Sequence, residues 1–280
     1  PENLQKTGSF KIRGATNHIL QLDPATGRRG VVAASSGNHG QAVAHAAARS
    51  GYPAVVVVPE NAAAVKVAAA RGYGAEVIHH GTTSAERTAL AQELARERGL
   101  AFVHAFDDPW VIAGQGTVGL EILEDLPEVD VVLVPVGGGG LIAGIATAVK
   151  ETRPGALVFG VEPVGGNSMQ RSLEAGAITP LDHPRSIANG LLPTQPGELT
   201  FALARKYVDG ILAVTDEEIR SAVVVLLERA RLVVEPSGAA TVAALLSGKV
   251  PGRGRRVVAV LSGGNVDLAV LADLIGNCPS

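Results

Sequence analysis

Short apolar runs alternate along the whole chain with longer, Ala-rich stretches of helical period, and this alternation restricts the fold more than any other feature. A strand followed each time by a helix cannot close a hairpin with the next strand; it returns by a crossover and pairs in parallel. Runs at 30–34, 54–58, 76–79, 131–136, 158–162, 211–214 and 257–261 predict strands. Stretches at 41–50, 62–72, 84–98, 117–126, 141–151, 216–229 and 239–246 predict helices between them. Thr215-Asp216-Glu217-Glu218 reads as a helix start, with a hydroxyl cap and acids where the helix dipole favours them. The expected fold is α/β, two-lobed, each lobe a mostly parallel twisted sheet flanked by helices. Residues 31–107 form the small domain, and 1–30 with 108–280 form a discontinuous large one. The stretch 165–197, rich in Gly, Pro and Ser, reads as an irregular surface excursion.

Composition narrows the function classes. Of 280 residues, 46% are apolar, ample for a core, and the net charge of −3 is scattered with no basic stripe. Nucleic acid and anionic membrane surfaces are therefore not expected partners. A single cysteine, Cys278, excludes an internal disulfide framework and a thiolate metal cluster, as in a reducing cytoplasm. The uncharged stretch 131–149 matches a membrane span in length, but Pro135 and Gly137 to Gly140 break it into strand, loop and helix start. No signal peptide is visible, and the opening at Pro1 rather than Met points to residues upstream.

Three strand ends carry chemistry. The run Gly137-Gly138-Gly139-Gly140 lies between an apolar strand and a helix beginning at Leu141, where bare amides bind an anion, normally a phosphate. Gly138, Gly140 and Ala143 also satisfy the Gly-x-Gly-x-x-Ala dinucleotide fingerprint, with Glu162 closing a strand where a ribose ligand belongs. A nicotinamide-dependent oxidoreductase, or a plain tight turn, stays open on this loop alone. Ser35-Ser36-Gly37-Asn38-His39-Gly40 is a second strand-to-helix passage, a cradle suited to a carboxylate or simply a helix cap. There His39 reads as a local hydrogen-bonding residue rather than a base. Leu261-Ser262-Gly263-Gly264-Asn265 is the third. Among six lysines, Lys11 stands apart, flanked by Phe10 and Ile12 in a segment bracketed by Gly8 and Gly14. Apolar neighbours would lower its pKa, as imine formation requires, although a lysine with an ordinary buried stem fits the same spacing.

Together, Ser9-Phe10-Lys11-Ile12-Arg13-Gly14, the Ser35 to Gly40 loop, the tetraglycine and the Ser262 turn resemble the pyridoxal-phosphate enzymes of the tryptophan synthase beta-subunit fold. Within them they are most similar to the threonine and serine dehydratases, over essentially the whole chain. The resemblance implies pyridoxal 5′-phosphate in the cleft between lobes, held as a Schiff base on Lys11. It implies that Asn38 bonds the phenolic oxygen, that Phe10 packs on the ring and that Gly137, Gly138, Gly139, Gly140 and Leu141 form the phosphate cup. Ser262 would meet the pyridine nitrogen, and Ser35, Ser36, Gly37, Asn38 and His39 would grip the substrate carboxylate. Lys11 and Ser36 would be the catalytic pair, Ser36 on the face opposite the lysine, where racemases of the fold use a second acid or base. The implied activity is loss of water and then ammonia from L-threonine or L-serine to give a 2-oxo acid, in a cytoplasmic homodimer.

Two departures qualify the pattern. Cation-binding relatives carry an acid at the position of Glu162 and another six residues later, where this chain has Ser168, so Glu162 is a weak metal candidate and no metal is expected. The chain stops at Ser280 without a regulatory segment, so feedback by isoleucine is not expected. Serine racemization and beta-replacement remain alternatives within the fold. The branch for beta-replacement usually places an acidic or amide residue after its lysine, where this chain has Ile12.

Overall fold

The computed structural model describes all residues except 36, 63, 252–254 and 278–280, and the side chains of 64–66 are also left aside. Cys278 therefore lies outside the described residues. The chain divides into two compact units, residues 11–114 and residues 1–10 with 115–280.

The first unit comprises α1 (Lys11–Leu20), α2 (Pro24–Arg29), β1 (Val31–Ala34), α3 (Asn38–Ser50), β2 (Ala54–Val58), α4 (Ala64–Gly72), β3 (Glu76–His79), α5 (Ser84–Arg98), β4 (Ala101–Phe102) and the start of α6 (Pro109–Asp125). Its four strands pair in parallel in the order β3-β2-β1-β4. Side chains alternate between the sheet faces, so Val31, Ala33, Val56 and Val58 pack with Ala42, Val43, Ala46 and Ala47 of α3. Val32, Val55 and Val57 meet Ala91 and Leu94 of α5 on the other face. With both faces covered, the strands read as unbroken apolar runs rather than alternating ones. Helix α5 is closed by a Thr83–Glu86 capping box and ends on Gly99 in the left-handed region.

Helix α1 is a departure from the sequence reading, whose predicted helices begin only at residue 41. Gly14 weakens its local helical signal, but Ile12, Ala15 and Ile19 face the Ala-rich side of α3, and that packing outweighs propensity. The same packing groups residues 11–30 with 31–107.

The second unit contains the rest of α6, β5 (Val131–Pro135), α7 (Gly140–Thr152), β6 (Leu157–Pro163), α8 (Ser168–Ala175), α9 (Glu198–Tyr207), β7 (Gly210–Val214), α10 (Asp216–Val225), α11 (Pro236–Leu246), β8 (Val257–Ala259) and α12 (Leu268–Gly276). The strands are again parallel, in the order β7-β6-β5-β8. Val131, Leu133, Val161 and Val214 pack on α10 and α11, while Val132, Val134 and Val158 pack on α7 and α9. The uncharged stretch 131–149 thus resolves into β5, a glycine loop and α7. No helix among the described residues is long and apolar enough to cross a membrane.

Helix α10 starts on the Thr215–Glu218 capping box that its sequence announces, and ends earlier than predicted, in one wider turn over Leu226–Ala230. Helix α6 begins well before the predicted 117, because Asp108 caps it through Val111 N–H at 2.8 Å and Pro109 starts it. Its three glycines hide that stretch from a propensity reading. The stretch read as irregular, 165–197, contains α8, whose cap comes from a neighbouring strand instead of the preceding residue.

Candidate active site

In both sheets the candidate loops leave the carboxyl ends of strands, the side on which open α/β sheets bind ligands. In the first unit, β1 runs into Ser35, whose hydroxyl accepts Gly37 N–H at 3.2 Å, and α3 opens at Asn38. The N-cap is Gly37, which gives that helix start no side-chain cap of its own. Ser36 lies outside the described residues. His39 is buried, and its Nε2 is 2.9 Å from the Val103 carbonyl. A carbonyl only accepts, so the proton sits on Nε2, while Nδ1 is buried without a hydrogen-bond partner. Burial, and secondarily the charge of Lys11, pushes His39 down to about 3, so the ring is neutral and held locally, as read from the sequence.

Lys11 is the first residue of α1. Its amine donates to the Ala105 carbonyl at 2.6 Å, and burial brings its pKa down to about 8. A neutral carbonyl does not offset the desolvation of an ammonium as a carboxylate would. The uncharged, nucleophilic form is thereby brought within reach of physiological pH.

In the second unit, β5 and β8 are paired neighbours, so the tetraglycine and the Ser262 turn emerge side by side. Residues 1–10 join them there. Glu2 N–H donates to the Leu261 carbonyl at 2.8 Å, Phe10 N–H to that of Ser262 at 3.0 Å, and Gly264 N–H to that of Gly8 at 2.9 Å. Phe10 and Ser262 are thus brought together. Helix α7 begins at Gly140 behind Gly139, again without a side-chain cap, and Leu141 is buried in its first turn. Gly139 has φ +96°, and a Cβ there would stand 2.7 Å from Met169 Cε and 2.9 Å from Thr200 Cβ. Only a bare backbone fits.

Glu162 corrects the dinucleotide reading. It lies at the end of β6 with no exposed surface, and its carboxylate accepts Met169 N–H at 2.9 Å and Gln170 N–H at 2.8 Å at the start of α8. Both oxygens are engaged inside the protein, where no ribose hydroxyl has access. Burial pushes its pKa up to about 7 despite those two amides. Among the described residues no group of three or more His, Cys, Asp or Glu side chains is arranged to hold a metal ion.

Two residues that sequence reasoning passes over belong to these loops. Thr200 is fully buried; its hydroxyl donates to the Gly138 carbonyl at 2.7 Å and accepts Gly197 N–H at 3.0 Å. His104 accepts Asp107 N–H at 2.7 Å and Phe106 N–H at 3.3 Å on Nδ1. Neither carries a local sequence signal beyond a polar residue near Gly or Asp, because each partner is a backbone group in a loop.

Comparison with known proteins gives a consistent picture. The family model described as pyridoxal-phosphate dependent enzyme matches residues 1–263. An L-threonine ammonia-lyase of Thermotoga maritima is 48% identical over 98% of this chain and 68% of its own length. The processed form of threonine deaminase isoform 2 from Solanum lycopersicum superposes with a TM-score of 0.93 at 37% identity, covering 98% of this chain and 81% of that one. Maize serine racemase does so with a TM-score of 0.93 at 39% identity, covering 99% and 85%.

Proposed function

The chain belongs to the pyridoxal-phosphate dependent enzyme family, and on that premise we propose that it is an ammonia-lyase that removes water and ammonia from L-threonine or L-serine. The observation that carries the proposal is Lys11: a buried amine, lowered to about 8, turned to a neutral carbonyl.

The residues present fit the cofactor. The start of α7 is uncapped and stripped of side chains at Gly139, which suits a phosphate, and that of α3 is uncapped in the same way. When bound, pyridoxal phosphate supplies an aldehyde for amines and a ring that accepts an electron pair from the substrate α-carbon. The backbone of Gly137, Gly138, Gly139, Gly140 and Leu141 would hold the phosphate. Asn38 would bond the phenolic oxygen, Phe10 would cover a ring face, and Ser262 would meet the pyridine nitrogen. As a hydroxyl rather than a carboxylate, Ser262 does not keep that nitrogen protonated, which favours expulsion of the β-hydroxyl over transamination. Ser35, Gly37, Asn38 and His39 receive the substrate carboxylate; His39 does so through its main-chain N–H, since its ring is committed to Val103. The neutral amine of Lys11 takes the α-proton as general base. Ser36 is the residue by which racemization would compete. The active form is a homodimer in the cytoplasm.

Borohydride treatment of the yellow protein, followed by peptide mapping, is expected to find the reduced cofactor on Lys11. A panel of hydroxy-amino acids is expected to release 2-oxo acid from threonine or serine, and Lys11→Ala to abolish colour and turnover. A cofactor fixed elsewhere overturns the reading, and D-serine as the main product moves it to racemase.

A further inference from the structure

We infer that His104 is a positioning residue for Lys11, because its ring ties the turn that presents the Ala105 carbonyl to the lysine amine. The segment between β4 and α6 is irregular backbone, yet it is fastened at every step. Val103 gives its carbonyl to His39 Nε2 at 2.9 Å, and Asp108 Oδ1 takes His18 Nδ1 at 3.0 Å and Val111 N–H at 2.8 Å. Between these anchors His104 folds its side chain onto its own backbone, accepting the N–H groups of Phe106 and Asp107 on Nδ1. A ring nitrogen that accepts twice carries no proton, so the hydrogen is on Nε2. The rings of Phe102 and Phe106 meet it edge-on at 5.9 and 4.7 Å. Ala105 is enclosed by this turn, and its carbonyl sits 2.6 Å from Lys11 Nζ.

The consequence lies in direction. An amine that donates one N–H to a fixed carbonyl has its lone pair restricted, and a general base works only when that lone pair is aimed. A loosened turn also admits water and lifts the desolvation that lowers the amine's pKa.

This rests on Lys11 being the base, so the experiment separates the two claims. Borohydride fixation on Lys11 is first repeated in each variant; failure in the unaltered protein sinks the reading of the site, not the role of His104. His104→Phe keeps a ring between Phe102 and Phe106 and removes the acceptor, and His104→Asn restores one. In the cofactor-free protein, Lys11 is acylated across a pH series and quantified by mass spectrometry; in the loaded enzyme, kcat and KM are measured with α-protonated and α-deuterated threonine. The expected result for His104→Phe is an acylation midpoint moved up from about 8, a kcat lower by about tenfold or more at little-changed KM, and a larger isotope effect. His104→Asn is expected to recover most of each. If His104→Phe does not fold, His104→Ala takes its place in every comparison, with the same criteria. An unchanged midpoint and unchanged kcat in the folded variant overturn the inference.

Discussion

The Thr200 hydroxyl donates to the Gly138 carbonyl across 2.7 Å inside the protein, so a side chain at the start of α9 holds a peptide of the tetraglycine loop. Thr200→Val keeps the shape and removes both hydrogen bonds, leaving the Gly138 carbonyl with only the long bond from Gly197 N–H at 3.4 Å. The expected cost is about 1–3 kcal/mol of stability, with weaker cofactor binding. Urea unfolding and titration of cofactor-free protein with pyridoxal phosphate measure these, and Thr200→Ser is expected to recover most of both.

Gly139 is held at φ +96° with Met169 and Thr200 pressed against the place of a Cβ. Gly139→Ala is expected to destabilise the protein by about 2 kcal/mol or more, from backbone strain and overpacking together. Calorimetry checks the stability. The cofactor titration should show a larger loss than for Thr200→Val, because the backbone of the loop itself is displaced.

Glu162 caps α8 from the end of β6 through two amides in a dry interior. Glu162→Ala orphans both N–H groups and opens a void, at an expected cost of about 2–4 kcal/mol. Glu162→Gln retains one acceptor and should cost less. Chelator is expected to leave the melting temperature of the unaltered protein unchanged, since the two carboxylate oxygens are each met by a main-chain amide.

His39 supplies a pH dependence of definite sign. Its folded-state pKa of about 3 lies below the ordinary value of 6.5, so the folded protein prefers the neutral ring and the unfolded chain takes up the proton first. The stability that it contributes is complete above 6.5 and declines as the pH falls toward 3. In His39→Gln, whose amide can still donate to Val103, the fall in urea midpoint between those values should be smaller. Equal slopes for the two proteins would show that other groups govern acid unfolding.

The sequence by itself determined the class of fold, because the period of apolar residues is a local property that survives in the chain order. It also placed the candidate site loops at strand ends, since Gly137 to Gly140, Ser35 to Gly40 and the Ser262 turn each interrupt an apolar run. Helix α1 and the early start of α6 were not legible. Glycines depress their local propensity, and only the Ala-rich face of α3 and the Asp108 cap, remote or out of period, make them helices. The tertiary structure alone decided what each polar group touches. Glu162 became a cap for α8 instead of a ribose ligand, His39 was bound to Val103, and the Lys11 amine was set on a carbonyl 94 residues away. A hydrogen bond of 2.6 Å to a backbone oxygen carries no signature of residue type. Such partners are chosen by where the folded main chain passes, and burial in that setting, rather than the lysine's sequence neighbours alone, brings its pKa down.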